Sequence, residues 1–119
     1  AADFEGQDVI RVIEEGKKVK NAKPVLPEDY ALSQNAPNPF NPATTIEYAL
    51  PEETHVRLVI YNTMGQSVCT LLDALQPVGY HQFLWDGRNS QGRLVSGGVY
   101  FYRLTAGEFT ETKRMLLLK

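Results

Sequence analysis

The chain has 119 residues, which suits one domain plus a linker or tail, and its 43% hydrophobic and 22% charged residues are ordinary for a globular protein. Its net charge of −2, with 12 Lys and Arg spread along the chain, argues against a nucleic-acid or anionic-membrane surface, each of which needs concentrated positive charge. The single cysteine, Cys69, rules out an internal disulfide framework, and no apolar run reaches the roughly 18 to 20 residues that span a bilayer.

Residues 1–29 are charged and carry one aromatic, Phe4. The acidic start AADFEGQD lacks the hydrophobic region of a signal peptide, so an exported protein would need that signal upstream in a longer precursor. The run VIRVI at 9–13 reads as one arm of a hairpin turning at Gly16, with Val19 on the return, because β-branched residues dominate it. The alternative is a short helix capped by Asp8 and Gly16. KPVLPEDY at 23–30 reads as an extended linker, since each proline pushes the preceding residue out of the helical region.

The stretch NAPNPFNP at 35–42 is neither linker nor central strand. Pro37, Pro39 and Pro42 fix φ and remove amide donors, and Asn38 and Asn41 are turn formers that bond their own backbone. Phe40 is expected to anchor this corner in the core.

From residue 30 the pattern is β throughout. TTIEYAL (44–50) puts Ile46, Tyr48 and Leu50 on one face, and HVRLVIYN (55–62) does the same with Val56, Leu58 and Ile60. Gly65 makes a tight turn into SVCTLL (67–72), which Pro77 and Gly79 follow as breakers. YHQFLW (80–85) aligns His81, Phe83 and Trp85. The loop DGRNSQG (86–92) leads towards GVYFYRLTA (98–106), where Tyr100 and Tyr102 share a face opposite Phe101. A turn at Gly107 and Glu108 gives the last strand, FTETKRMLLLK (109–119). Short strands separated by turn signals, with no 3.6-residue period, predict an all-β, immunoglobulin-like antiparallel β-sandwich of about seven strands.

Little in this pattern carries chemistry. His55 and His81 fall in strands, Cys69 reads as a small buried apolar group, and the paired Glu52 and Glu53 read as a solvated turn. No acid–base–nucleophile set can be assembled, which points away from an enzyme and implies no cofactor. Asp86 and Asn89 are the only candidate metal ligands, and an Asx-type turn explains them better, because they sit among default turn formers. The aromatic residues could form a sugar-binding row, but a small domain needs its aromatics inside.

Several separate motifs in a fixed order carry a resemblance. LSQNAPNPFNPATTIEYALP, VRLVIYNTMGQSVCTL, GYHQFLWDGRNSQGRLVSGGVYFYRL and TKRMLLLK resemble the type A C-terminal sorting domain of type IX (Por) secretion substrates, a family related to the Ig-like domain of the flagellar hook-capping protein. The signature residues are Asn38, Pro39, Phe40, Asn41, Pro42, Gly65, Trp85, Asp86, Gly87, Gly97 and Tyr100. The resemblance implies an Ig-like sorting domain over 30–119, with 1–29 a linker or the end of an upstream cargo domain. It implies an export signal in Lys113, Arg114, Met115, Leu116, Leu117, Leu118 and Lys119. The implied partners are the outer-membrane translocon and sortase components, with no nucleic acid and no membrane insertion. The implied route runs through the periplasm and outer membrane of a Gram-negative bacterium to secretion or the cell surface, with any cleavage in 17–33. Strand addition to the edge of the last strand offers the translocon a way to read KRMLLLK. The other reading is an accessory carbohydrate- or protein-binding Ig-like module of a secreted enzyme.

Overall fold

The computed structural model describes residues 25–119; the reading of 9–19 as hairpin or helix lies outside them. The described residues form seven strands and no helix: β1 (Ala31–Leu32), β2 (Thr44–Leu50), β3 (Thr54–Tyr61), β4 (Ser67–Gln76), β5 (Gly79–Trp85), β6 (Gly98–Ala106) and β7 (Phe109–Leu117). They make two antiparallel sheets, one ordered β1-β2-β5 and the other β4-β3-β6-β7. The all-β immunoglobulin-like sandwich read from the alternation is therefore the observed fold.

The inward faces are those the period of two predicts. Ile46, Tyr48 and Leu50 from β2 meet Val56, Leu58 and Ile60 from β3, Tyr100, Tyr102 and Leu104 from β6, and Met115 and Leu117 from β7, all buried. Phe40 and Trp85 close the core at one end, and Leu32 and Val56 belong to the same apolar cluster. Burying such side chains, at about 1.5–3 kcal/mol each, is the main force holding the sheets face to face.

Two strands depart most from the pattern-based boundaries; the ends of β3, β5 and β7 move by only one or two residues. β4 runs past Leu72 to Gln76, because its partner β3 continues to Thr54 and keeps the ladder paired across Arg57↔Asp73 and Val56↔Ala74. β1 is a two-residue strand inside what reads as a featureless lead-in, held on Ala49 and Tyr48 of β2. Two residues are too few for any period to register.

Candidate functional site

Most of the motifs that carry the resemblance, all but the β3–β4 turn around Gly65, meet around the second half of β7. Pro39 and Pro42 have no amide proton, but Phe40 between them keeps both backbone groups, and both are used. Its N–H donates to the Leu116 carbonyl (3.0 Å), and its own carbonyl accepts from the Leu118 N–H (2.8 Å), forming a single parallel bridge with Leu117. The Asn38 carboxamide oxygen accepts from the Leu116 N–H (3.0 Å), and Gln34 Nε2 donates to the Arg114 carbonyl (2.7 Å). The outer edge of β7 from Arg114 to Leu118 is thus occupied. Sequence reasoning places Asn38 in a turn bonding its own segment; the structure sends it across to the last strand instead. The expected route for strand addition, the outer edge beside KRMLLLK, is filled by residues 34–40 of the same chain.

Beneath this edge lies an aromatic cluster. The Phe40 ring, 1% exposed, packs tilted on Trp85 with centroids 5.8 Å apart, and Trp85 meets Tyr100 edge-on at 5.6 Å. The polar ends are satisfied, as buried Tyr and Trp require. Trp85 Nε1 donates to the Arg88 carbonyl (2.9 Å) and the Tyr100 hydroxyl to the Ser96 carbonyl (2.6 Å).

The signature glycines are explained by close approach. Gly87 has φ +79°, and a Cβ there would stand 2.9 Å from the Pro42 carbonyl oxygen. A Cβ on Gly97 would lie 2.5 Å from Lys119 Cγ and 3.2 Å from the Leu117 carbonyl oxygen. Any larger residue at either position pushes on the 40–42 corner or on the end of the last strand. Gly65 has a different task, with φ +81° in the β3–β4 turn, where the Asn62 side chain caps the Met64 and Gln66 amides.

A buried polar network holds the segment leading into the corner, and sequence reasoning missed it. The Tyr102 hydroxyl donates to the Ser33 carbonyl (2.6 Å) and accepts from the Asn35 N–H (2.8 Å). Asn35 Nδ2 donates to Thr44 Oγ1 (3.0 Å) and the Pro37 carbonyl (3.2 Å), and the Thr44 hydroxyl donates to that same carbonyl (2.8 Å). Burial pushes the Tyr102 phenol up to about 12. The one signal available in the sequence was a tyrosine on an inward face, whose hydroxyl needs a partner.

The segment Lys113–Lys119 divides by face. Met115 and Leu117 are buried, Lys113 Nζ pairs with Glu111 Oε2 (3.2 Å), Arg114 is exposed, and Leu116 and Leu118 stay partly exposed. Lys119 folds back so that Nζ donates to the Val95 carbonyl (3.4 Å).

The remaining candidates serve local structure. An Asp86 oxygen caps the Arg88 amide (3.2 Å), and the Asn89 oxygen caps the Gln91 (2.9 Å) and Arg93 (3.0 Å) amides, as in Asx turns. Among the described residues no group of three or more His, Cys, Asp or Glu is placed to hold a metal. His55 on β3 bonds Asp73, while His81, in the other sheet, stacks on Tyr48. Cys69 is half-buried against the core, and burial, followed by the Asp86 charge, raises its thiol pKa. Tyr100 and Tyr102 are buried, which removes them from any sugar-binding row.

Two antiparallel sheets, sealed at one end by an aromatic corner, define an immunoglobulin-like β-sandwich module. The chain belongs to the FlgD Ig-like domain family, whose model matches residues 41–108, more than half of the sequence. That span ends short of both partners in the edge contact, since residues 34–40 and β7 lie outside it. By structure the chain is similar to dimeric latent PorU from Porphyromonas gingivalis, with a TM-score of 0.62 and 19% identity over 92% of this chain. It spans only 10% of that PorU chain. It is also similar to FlgD from P. aeruginosa (TM-score 0.49, 22% identity, 62% of this chain and 58% of that one). A third similar structure is PorZ, an essential surface component of the type IX secretion system of Porphyromonas gingivalis (TM-score 0.49, 18% identity, 77% of this chain and 12% of that one). No curated protein sequence matches the chain.

Proposed function

We propose that residues 30–119 form a non-catalytic sorting module that directs a larger secreted protein through the type IX outer-membrane translocon, with sortase cleavage and surface attachment to follow. In this reading residues 1–29 are a linker or the end of the cargo domain, and the mature protein is secreted or held at the surface of a Gram-negative bacterium. The observation that carries it is the convergence around Phe40. The Asn-Pro-Phe-Asn-Pro block, Trp85 with Gly87, Gly97 with Tyr100, and the last strand are remote in sequence yet form one unit, with Phe40 bonded to Leu116 and Leu118 and packed on Trp85. Signature residues that are remote in sequence but built into one unit around the last strand fit a module whose task is to hold that strand in place. Ser33 is already bonded to Glu47 and Tyr102, so cleavage by an enzyme that needs extended chain falls ahead of Ala31.

The test follows cargo in the exporting bacterium from a full-length precursor lacking Lys113–Lys119. Because that deletion also removes buried Met115 and Leu117, a second precursor carries only R114A and L118S, at exposed positions. Cargo held in the periplasm in both supports the sorting role. Normal secretion of both variants rejects it.

A further inference from the structure

We propose that the outer face of the four-stranded sheet, beside the last strand, binds an extended acidic and apolar segment of a partner protein through Arg103 and Arg114. This deepens the sorting reading, from which it takes only that the partner belongs to the export machinery.

The register sets the outward side chains in rows. Tyr61, Phe101 and Arg114 lie across β3, β6 and β7; Val59, Arg103 and Thr112 form the next row; Val99 and Leu116 pair on the other side. The apolar surface offered here comes from Val99 and Leu116, 36% and 37% exposed, and from the half-buried Tyr61 and Phe101, while Val59 is buried beneath its neighbours. Two grooves flank the Phe101–Arg114 pair. One, about 220 Å³, includes Tyr61, Phe101 and Arg103 in its wall; the other, about 280 Å³, includes Val99, Arg114 and Leu116. Each groove therefore joins apolar side chains to one arginine.

The charge on this face is uncompensated near the grooves. Farther along it, Arg57 has Asp73 within 3.6 Å. Arg103 sits 5.0 Å over the Tyr61 ring and gives Nε to Thr112 Oγ1 (3.2 Å), which leaves its terminal nitrogens for a ligand. Neither Arg103 nor Arg114 has an ion pair among the described residues. A rigid, aromatic-backed guanidinium matches a carboxylate as a paired hydrogen-bond acceptor. Residues 34–40 cover the adjacent β7 edge from Arg114 to Leu118, so a partner meets side chains rather than a free backbone ladder there. The occupant with the right chemistry is a segment alternating carboxylates for the arginines with aliphatic side chains for the grooves.

The probe is a ten-residue peptide alternating Asp and Leu, titrated into the full chain by fluorescence anisotropy and two-dimensional NMR. We expect binding that shifts the Val99, Phe101 and Leu116 amides and weakens as salt rises. R103A and R114A each weaken it about tenfold, the loss of one charge-assisted contact, while R57A leaves it unchanged; unaltered thermal unfolding shows that the variants fold. No binding, equal binding of the peptide with Asn in place of Asp, equal binding by the R103A/R114A double variant, or shifts confined to Glu47 and Gln82 on the opposite sheet overturns the proposal. So does concentration-dependent dimerisation through this face. In the exporting bacterium, export lost on deleting Lys113–Lys119 yet intact in R103A/R114A overturns the face and spares the sorting reading. Export intact even after the deletion removes the sorting reading, and the peptide titration then judges the face by itself.

Discussion

The two edges of the four-stranded sheet meet the same hazard by different means. An exposed edge strand offers unpaired N–H and C=O groups to any other chain. At β7 the edge is covered: Gln34, Asn38 and Phe40 take its outward groups from Arg114 to Leu118. At β4 no described segment covers the ladder beyond Val68, whose carbonyl accepts from Ser90. There the strand is irregular, with register shifts against β3 that leave Leu71 and Val68 as extra residues, and Asp73 stands midway along it. Bulges twist an edge away from a straight partner, and a charge makes pairing costly. The difference follows from composition. A strand that must keep Leu116, Leu117 and Leu118 together cannot be guarded by charge at those positions, so another part of the chain guards it.

Breaking the covered edge should have the largest effect. Phe40→Ala removes a buried ring and is expected to cost about 3–5 kcal/mol in urea unfolding. Amide exchange at Leu116 and Leu118 should rise far more than on β4; equal rises would mean the corner does not hold the edge. Alkaline pH attacks the same region through Tyr102. Its phenol is held up to about 12 against an ordinary value of 10.0, so the fold prefers the protonated form. That contribution, about 3 kcal/mol, is complete below pH 10 and is lost as the pH climbs through about 12. Unfolding measured from pH 9 to 12 should show a steep loss that Tyr102→Phe flattens. Gly87→Ala should cost about 2 kcal/mol, combining a positive φ with a clash on Pro42. Asn38→Ala should cost about 1 kcal/mol, the net worth of one hydrogen bond to the Leu116 amide at an exposed site, with faster exchange at that amide as the check. On the open edge, Asp73→Val should change stability by less than about 1 kcal/mol, since its ion pairs are half exposed. Its effect should appear in sedimentation as concentration-dependent association, absent from the parent chain.

The sandwich was legible because each long strand states its inward face by alternation: Ile46, Tyr48 and Leu50, or Tyr100 and Tyr102, need only a period of two. The anchor role of Phe40 was legible for a related reason, since an apolar ring among prolines has nowhere to go but the core. The partners of Asn38 and Gln34 were not legible. Both reach backbone groups nearly eighty positions away, and no local pattern encodes a contact of that range. β1 escaped notice because two residues carry no period, and the Asn35–Thr44 bond because it joins a residue read only as part of a turn-rich block to the first residue of a strand nine positions on.

The sequence by itself determined the strands, their inward faces, the turns that need Gly65 and Gly107, and the prolines that forbid the 35–42 segment from entering a sheet as a continuous strand. These depend on φ/ψ preference and alternation, which act within a few residues. Tertiary structure alone decided that Phe40, held between two prolines, closes both of its backbone groups on the last strand, and that Arg103, Arg114, Phe101 and Leu116 share one face. Such juxtapositions come from sheet order and register, which the whole core sets at once.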